Sequence, residues 1–311
     1  MDEAFTTDGQ DSRSTVRKVF GFVGWSLFTV ICLVFFTLIK VPQAKIHNYV
    51  VGMLNQQLAP SQIRFSADEG QINIGFGVSY VMTGVQLTKV DSGKILRLKQ
   101  IQVSPSLIAL AQGRMGSHFL IDEGSGSLNG HFYTHGDEMD AEFQTDGINL
   151  GKIGVLPFSA GIEGTAEVKG NVKVQGNMRS MSSFTGNVDL NLAKIVIDQQ
   201  SFMGFSIPRL AISDGVVKID IQSGKALFRS VRLGKAGSND DLFCSFDGDI
   251  KLGKTADASE LNLKGKLGFS KAVLNSMVLL DALLGSMKTP DGTYAFRLVG
   301  PAMGTMPVPD R

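Results

Sequence analysis

The stretch AEVKGNVKVQG at residues 166–176 decides the fold class, because its apolar and polar residues alternate. Val168, Val172 and Val174 fall on one side of an extended chain, and the charged and amide side chains fall on the other. A period of two places successive side chains on opposite faces of a sheet. One buried face and one solvated face are typical of antiparallel sheets.

The same alternation recurs in several other segments from residue 71 onward, and 36 glycines supply turns between them. About a dozen strands would make a sheet curl, split or close. We therefore predict a mainly β fold: a long, curved antiparallel sheet, as a groove or half-barrel, with a few short helices. Its candidate apolar groove lining is Val168, Val172, Val174, Val188, Leu190, Leu192, Val217, Ile219, Ile221, Phe246, Ile250, Leu261 and Leu263.

Local signals mark the breaks in this pattern. The alternation changes phase between Leu98 and Ile101, which predicts a β-bulge. Short helices are predicted at residues 105–113 and 271–285, with a single turn at 149–157. The helix at 271–285 either plugs an open face of the sheet or, less favourably, dips into a membrane. Turns are predicted at three Asp-Gly pairs, Asp146-Gly147, Asp214-Gly215 and Asp291-Gly292.

Residues 19–39, VFGFVGWSLFTVICLVFFTLI, contain no charged residue and lie between Lys18 and Lys40. About twenty such residues cross a bilayer core. We predict an uncleaved membrane anchor, because a cleaved signal peptide has an apolar region of about 7–15 residues and a small-residue cleavage site. The basic flanks favour a cytoplasmic N-terminus. The anchor residues include Phe20, Trp25, Leu33, Phe36 and Ile39.

The predicted organisation is a cytoplasmic tail at 1–18, the anchor at 19–39, an amphipathic helix at 40–60 and an exported sheet domain at 61–311. The helix follows from apolar residues at steps of three and four, which form one stripe. That stripe either caps the end of the sheet or lies on the membrane. Capping is favoured, because the polar face carries Asn and Gln in place of Lys and Arg. The stripe consists of Ile46, Tyr49, Val50, Met53, Leu54 and Leu58.

The sequence contains no pattern that points to catalysis, a cofactor or a metal. The net charge of +1 gives no reason to expect nucleic acid. His131 and His135 could share one face of a strand, but no further ligand accompanies them, so surface histidines are expected. The acidic pairs at 68–69, 122–123, 137–138 and 240–241 lie beside turns and are expected to be solvated. Cys32 and Cys244 are not expected to form a disulfide.

The chain resembles the type II secretion system protein N of diderm bacteria, of spirochaete and delta-lineage type, and more widely the AsmA-like periplasmic proteins. The likeness rests on the anchor, GIEGTAEVKGNVKVQG, SFTGNVDLNLAKIVI, PRLAISDGVVKIDI, DLFCSFDGDIKL and the hairpin from Asp291-Gly292 to Pro307. It implies a single-pass inner-membrane protein with a periplasmic body. A slab of a dozen strands measures roughly 55–60 Å, too short to bridge the periplasm.

The resemblance leaves two functions open, both non-enzymatic. The first is an accessory component of type II secretion whose sheet docks other secretion subunits. The second is binding or transfer of phospholipid acyl chains in an apolar groove. An acyl-chain carrier needs a continuous apolar face that is open along one edge, whereas an assembly module should fill that face with its own side chains.

Overall fold

A computed structural model describes residues 42–75, 77–202 and 205–310. The predicted tail and anchor, including Phe20, Trp25, Leu33, Phe36 and Ile39, lie outside these ranges. Within them, no helix combines the length and the apolar character needed to cross a bilayer.

Five α-helices and seventeen strands make up the described chain. The helices are α1 Gln43–Leu58, α2 Leu107–Ala111, α3 Val155–Ala160, α4 Lys271–Ser276 and α5 Val278–Leu284. The first nine strands are β1 Ile63–Ser66, β2 Glu69–Ile74, β3 Val78–Lys89, β4 Ile95–Pro105, β5 Met115–Asp122, β6 Ser127–His135, β7 Glu138–Asn149, β8 Gly164–Asn177 and β9 Thr185–Ile197. The others are β10 Gln200–Phe202, β11 Phe205–Ile207, β12 Leu210–Gln222, β13 Lys225–Leu233, β14 Leu242–Lys251, β15 Glu260–Phe269, β16 Tyr294–Pro301 and β17 Val308–Pro309.

Fifteen strands form one antiparallel sheet, so the predicted mainly β class is confirmed. The order is β1-β3-β4-β5-β6-β7-β8-β9-β12-β13-β14-β15-β16-β17, with β2 also paired to β3. Strands β10 and β11 form a separate hairpin between β9 and β12. Among the described residues, no pairing joins the β1–β2 edge to the β17 edge.

Only one of the three predicted Asp-Gly turns is a turn. Asp291-Gly292 lies in the turn before β16, whereas Asp146-Gly147 and Asp214-Gly215 lie inside β7 and β12. Asp146-Gly147 forms a bulge: Thr145 pairs with Gly170 and Ile148 with Val168, so β7 has one extra residue here. The bulge keeps Thr145 and Ile148 on the same face of the sheet.

The phase change in β4 is not the predicted bulge. The register of β3 against β4 is continuous from Tyr80–Val103 to Thr88–Ile95. The alternation of apolar and polar residues shifts at the same point in both strands, and there Gly84 of β3 adopts a φ of +61°. A side chain at Gly84 would collide with the carboxylate of Asp68, a residue in the connection between β1 and β2. The change is therefore a kink shared by neighbouring strands, with no residue inserted.

The helices predicted at 40–60 and 105–113 are present, whereas the single turn predicted at 149–157 is followed by a helix, α3, that runs on to Ala160. The predicted helix at 271–285 is divided at Met277, whose backbone angles, φ −122° and ψ 62°, are not helical. On α1, Leu54 and Leu58 are half-buried, but Tyr49 and Met53 of the predicted stripe are exposed. In the second half of α1, the Asn55 side chain exchanges two hydrogen bonds of 2.8 Å with the backbone of Phe65 on β1.

The acidic pair Asp240–Asp241 is structural and not merely solvated. The pairing of β12 with β13 begins only at Gly215. The backbone amides at the start of β12 therefore need other hydrogen-bond acceptors on that side. Asp240 accepts hydrogen bonds from the amides of Ser213 at 2.7 Å and Lys235 at 2.8 Å. Asp241 likewise accepts from the amide of Ala211 at 2.9 Å. The two carboxylates thus replace missing ladder bonds.

Replacing Asp240 with alanine should destabilise the sheet domain by about 1–3 kcal/mol, because the amides that it satisfies lose a charged acceptor. Chemical unfolding of Asp240→Ala and wild type would measure this. Asp247→Ala is the matched control, since Asp247 is exposed on the polar face of β14. Equal destabilisation by the two substitutions would contradict the structural role.

The contribution of Asp240 should also depend on pH. Burial acts to raise the pKa of Asp240, but hydrogen bonds from the Lys235 and Ser213 amides and from the Ser238 and Ser213 hydroxyls outweigh it, so the pKa is lowered. Its stabilisation is therefore present above the ordinary aspartate pKa and lost as pH falls through the lowered value. The Tm difference between wild type and Asp240→Ala should shrink below about pH 4.

Candidate functional site

The apolar side of the fifteen-stranded sheet, here called the apolar face, is built from cross-strand rows. Residues paired across antiparallel strands point to the same side. One row from β3 to β16 consists of Met82, Ile101, Ile121, Leu128, Thr145, Gly170, Leu190, Val217, Val231, Phe246, Gly265 and Phe296. The next consists of Tyr80, Val103, Phe119, Gly130, Phe143, Val172, Val188, Ile219, Phe228, Gly248, Leu263 and Leu298. Neither row contains a charged residue.

All thirteen predicted groove residues lie on this face. Val172, Val188, Leu190, Val217, Ile219, Phe246 and Leu263 belong to the two rows, and the others lie two positions further along the same strands: Val168, Val174, Leu192, Ile221, Ile250 and Leu261. Val168 and Leu263 are buried, with 9% and 6% exposure, and the rest are half-buried.

The opposite side of the sheet, the polar face, is covered by ion pairs. Lys218 meets Asp189 at 3.1 Å and Lys251 meets Glu260 at 3.4 Å, in each case across adjacent strands. Such exposed pairs contribute little stability each. Their charged side chains make this face polar, in contrast to the apolar face.

A pocket of about 390 Å³ opens on the apolar face. It reaches seven successive strands, from Leu87 on β3 to Leu190 on β9. Thr145 is its one polar lining side chain, and the Thr145 hydroxyl donates to the carbonyl of Val168 at 3.2 Å. The lining is Leu87, Leu96, Leu98, Ile121, Leu128, Phe143, Thr145, Ile148, Leu150, Ile153, Val155, Val168, Val172 and Leu190.

One wall of the pocket comes from the connection between β7 and β8, residues 150–163, here called the bridging segment. It contacts β4, three strands away from β7 in the sheet. The carbonyl of Ile153 accepts a hydrogen bond of 2.8 Å from the amide of Arg97. Gly154 lies so close to the carbonyl of Ile95 that a Cβ would approach it to 2.5 Å. The backbone contact therefore requires glycine at this position.

A second contact fixes the far end of the bridging segment. Lys94, one residue before β4, forms an ion pair of 2.7 Å with Glu163, one residue before β8. Four ladder steps separate β4 from β8, a distance of about 19 Å in a flat sheet. Here the side chains next to the starts of both strands reach each other.

Aromatic rings that lie over glycines fill parts of the apolar face. Near β14–β16, the ring of Phe296 lies over Gly265, where a Cβ would approach the ring to 2.3 Å. The same ring packs edge-on against Phe246, with centroids 5.9 Å apart. Glycine opposite an aromatic residue thus lets the ring lie flat and fill the surface.

Sequence reasoning found three of the fourteen pocket residues: Val168, Val172 and Leu190. Leu96 and Leu98 stood in a recognised alternation but were not assigned to the groove. Ile148 was missed because Asp146-Gly147 was interpreted as a turn. Ile153 and Val155 belong to the bridging segment, for which the predicted short turn gave no indication of a contact with β4.

Two of the four histidines, His118 and His131, form a pair on the polar face. His118 lies opposite His131 with ring centroids 6.0 Å apart, and the Tyr133 hydroxyl lies 3.0 Å from Nε2 of His118. Within the part of the chain that the structure describes, no group of three or more His, Cys, Asp or Glu side chains could hold a metal ion. The predicted neighbour of His131, His135, is exposed at the end of β6.

Comparison with protein-family models, with curated proteins and with solved structures gives no match.

Cys244 lies on the apolar face between Leu233 and Leu267, and burial raises the pKa of its thiol to about 11. A shift of this size from 9.0 lowers the thiolate fraction at neutral pH about 100-fold. In a Cys32→Ser background, iodoacetamide should therefore modify Cys244 about 100-fold more slowly in the folded protein than in denaturant, as followed by mass spectrometry. Comparable rates would show that this part of the face is solvated.

Proposed function

We propose that this chain is a membrane-anchored, non-enzymatic protein that binds lipid acyl chains on the apolar face of its sheet. The observation that carries the proposal is the pocket of about 390 Å³ whose lining is apolar apart from Thr145, whose hydroxyl donates to the carbonyl of Val168. Ligand pockets of roughly 300–1,000 Å³ normally place a few polar groups to orient their ligands. A pocket without such groups suits a ligand segment that has no polar atoms.

Curvature of the sheet follows from the contacts of the bridging segment. The Arg97–Ile153 hydrogen bond and the Lys94–Glu163 ion pair hold β4 near the start of β8. Strands this far apart in the ladder meet only if the sheet curls between them. The half-barrel geometry makes the apolar face concave, which explains why its side chains are half-buried without a covering layer.

The chemistry of the lining argues against a polar ligand. A buried polar atom without a hydrogen-bond partner costs several kcal/mol in an apolar environment. The hydroxyl hydrogen of Thr145 is already donated to Val168. A sugar, nucleotide or peptide would lose its hydrogen bonds to water without replacement, whereas an acyl chain gains from burial at about 25 cal/mol per Å².

The N-terminal anchor and the inner-membrane, periplasmic location belong to the same proposal, supported by the uncharged residues 19–39. The accessory role in type II secretion stays a prediction from the resemblance. It is compatible with lipid binding, because the polar face remains free for docking other subunits. Crosslinking that recovers secretion subunits from cells would support that role.

Acyl-chain binding can be tested by adding one charge to either face. Leu190→Asp places a carboxylate in the pocket and should abolish retention of lipid by the full chain in native mass spectrometry. Asn191→Asp adds the same charge at the next position, which is exposed, and should retain wild-type binding. Circular dichroism would establish that both variants fold.

Ile219→Asp extends the test along the face, since Ile219 lies on β12, outside the pocket lining. Reduced lipid retention in this variant would indicate that the whole face participates. The proposal fails if wild-type protein binds no lipid, or if Leu190→Asp folds and binds as well as Asn191→Asp.

A further inference from the structure

We call the side of the pocket that is walled by the bridging segment its blind end. The bridging segment contributes Leu150, Ile153 and Val155 to the lining, and its backbone is joined to β4 beside Leu96. Ile153 is only 6% exposed. Hydrogen bonding at Arg97 and the close approach at Ile95 hold this wall against the sheet, so it cannot retreat without breaking backbone contacts.

The blind end contains no group able to solvate a lipid headgroup. The side chains nearest the wall are aliphatic, including Leu87, Leu96 and Ile148. A carboxylate or phosphate placed there would be desolvated without a partner, at a cost far above the gain from burying one methylene group. Only the terminal methyl end of a chain is compatible with this position.

The other boundary of the pocket leads onto more apolar surface. Val172 and Leu190 line the pocket, and their cross-strand neighbours Val188 and Val217 are half-buried members of the same rows. A chain that enters from this side keeps contact with hydrocarbon over its whole length. Its polar end can then stay in water beyond the pocket.

The pocket volume fits one chain. About 390 Å³ is at the lower end of the range for small-molecule sites. A diacyl lipid could therefore place one of its chains in the pocket, while the second lies elsewhere on the apolar face or in the bilayer.

From these observations we infer that the pocket takes a single acyl chain, methyl end first, and that the bridging segment is the stop that limits chain length. This inference rests on the proposed function and deepens it. Val155 is the specificity-determining residue, because it lines the pocket at the start of α3 and is half-buried. A larger side chain there should shorten the chain that fits.

Orientation can be tested by photolabelling the full chain in nanodiscs with two diazirine fatty acids. One carries the diazirine at the terminal carbon and the other carries it beside the carboxylate. The terminal probe should label peptides containing residues 150–155, and the carboxyl-side probe should not. Equal labelling of this segment by both probes would overturn the inference.

Chain length can be tested with terminal-diazirine fatty acids of 10 to 18 carbons. Val155→Trp should move the best-labelling length down by two or more carbons. Ala160→Trp should leave it unchanged, because Ala160 is exposed and lies roughly 140° around the same helix from Val155. An unchanged best-labelling chain length in Val155→Trp would overturn this inference but not the proposed function, because the probes would still bind. Failure of every probe to label the wild-type protein overturns the proposed function together with it.

Discussion

The two-residue period of the strands is the constraint on which the structure depends. In a sheet with one buried face, a register shift of one residue would move every apolar side chain of a strand into solvent. Here the register carries one face through twelve neighbouring strands, from Met82 to Phe296. Where the spacing of apolar residues departs from two, the backbone compensates. The bulge at Asp146-Gly147 keeps Thr145 and Ile148 together, and the register shift in β13 does the same for Phe228 and Val231.

This constraint also explains which parts of the fold sequence analysis could predict. Alternation depends on neighbouring residues alone, so the strands and the shared face of all thirteen groove residues follow from it. Asp-Gly pairs do not distinguish a hairpin turn from a bulge, because both use a glycine with positive φ. Asp146-Gly147 was therefore assigned wrongly. Asp214 was also misassigned, since it lies within β12 and forms ion pairs with Arg232 at 2.9 Å and with Lys235 at 3.0 Å.

The pocket itself could not be predicted from local pattern. Its blind end depends on a contact between β4 and a connection that lies about 55 residues later in the chain, at Arg97 and Ile153. Neither residue type indicates such a contact, since the bond joins two backbone groups. Glycine at position 154 is the only local sign, and its meaning becomes clear only when the carbonyl of Ile95 is seen beside it.

Some parts of the apolar face are filled by its own aromatic rings, and another part forms an open pocket. Around β14–β16 the sheet fills its own surface, with Phe296 lying over Gly265 and against Phe246. Self-filling of this kind stabilises a sheet and needs no ligand. Between β4 and β8 the bridging segment forms one wall of the pocket, and Leu190 and Val172 line the same pocket. The pocket with the apolar lining therefore lies between β3 and β9. The ion-paired polar face points away from this pocket, so the proposed lipid binding and the proposed docking of subunits would use opposite sides of one sheet.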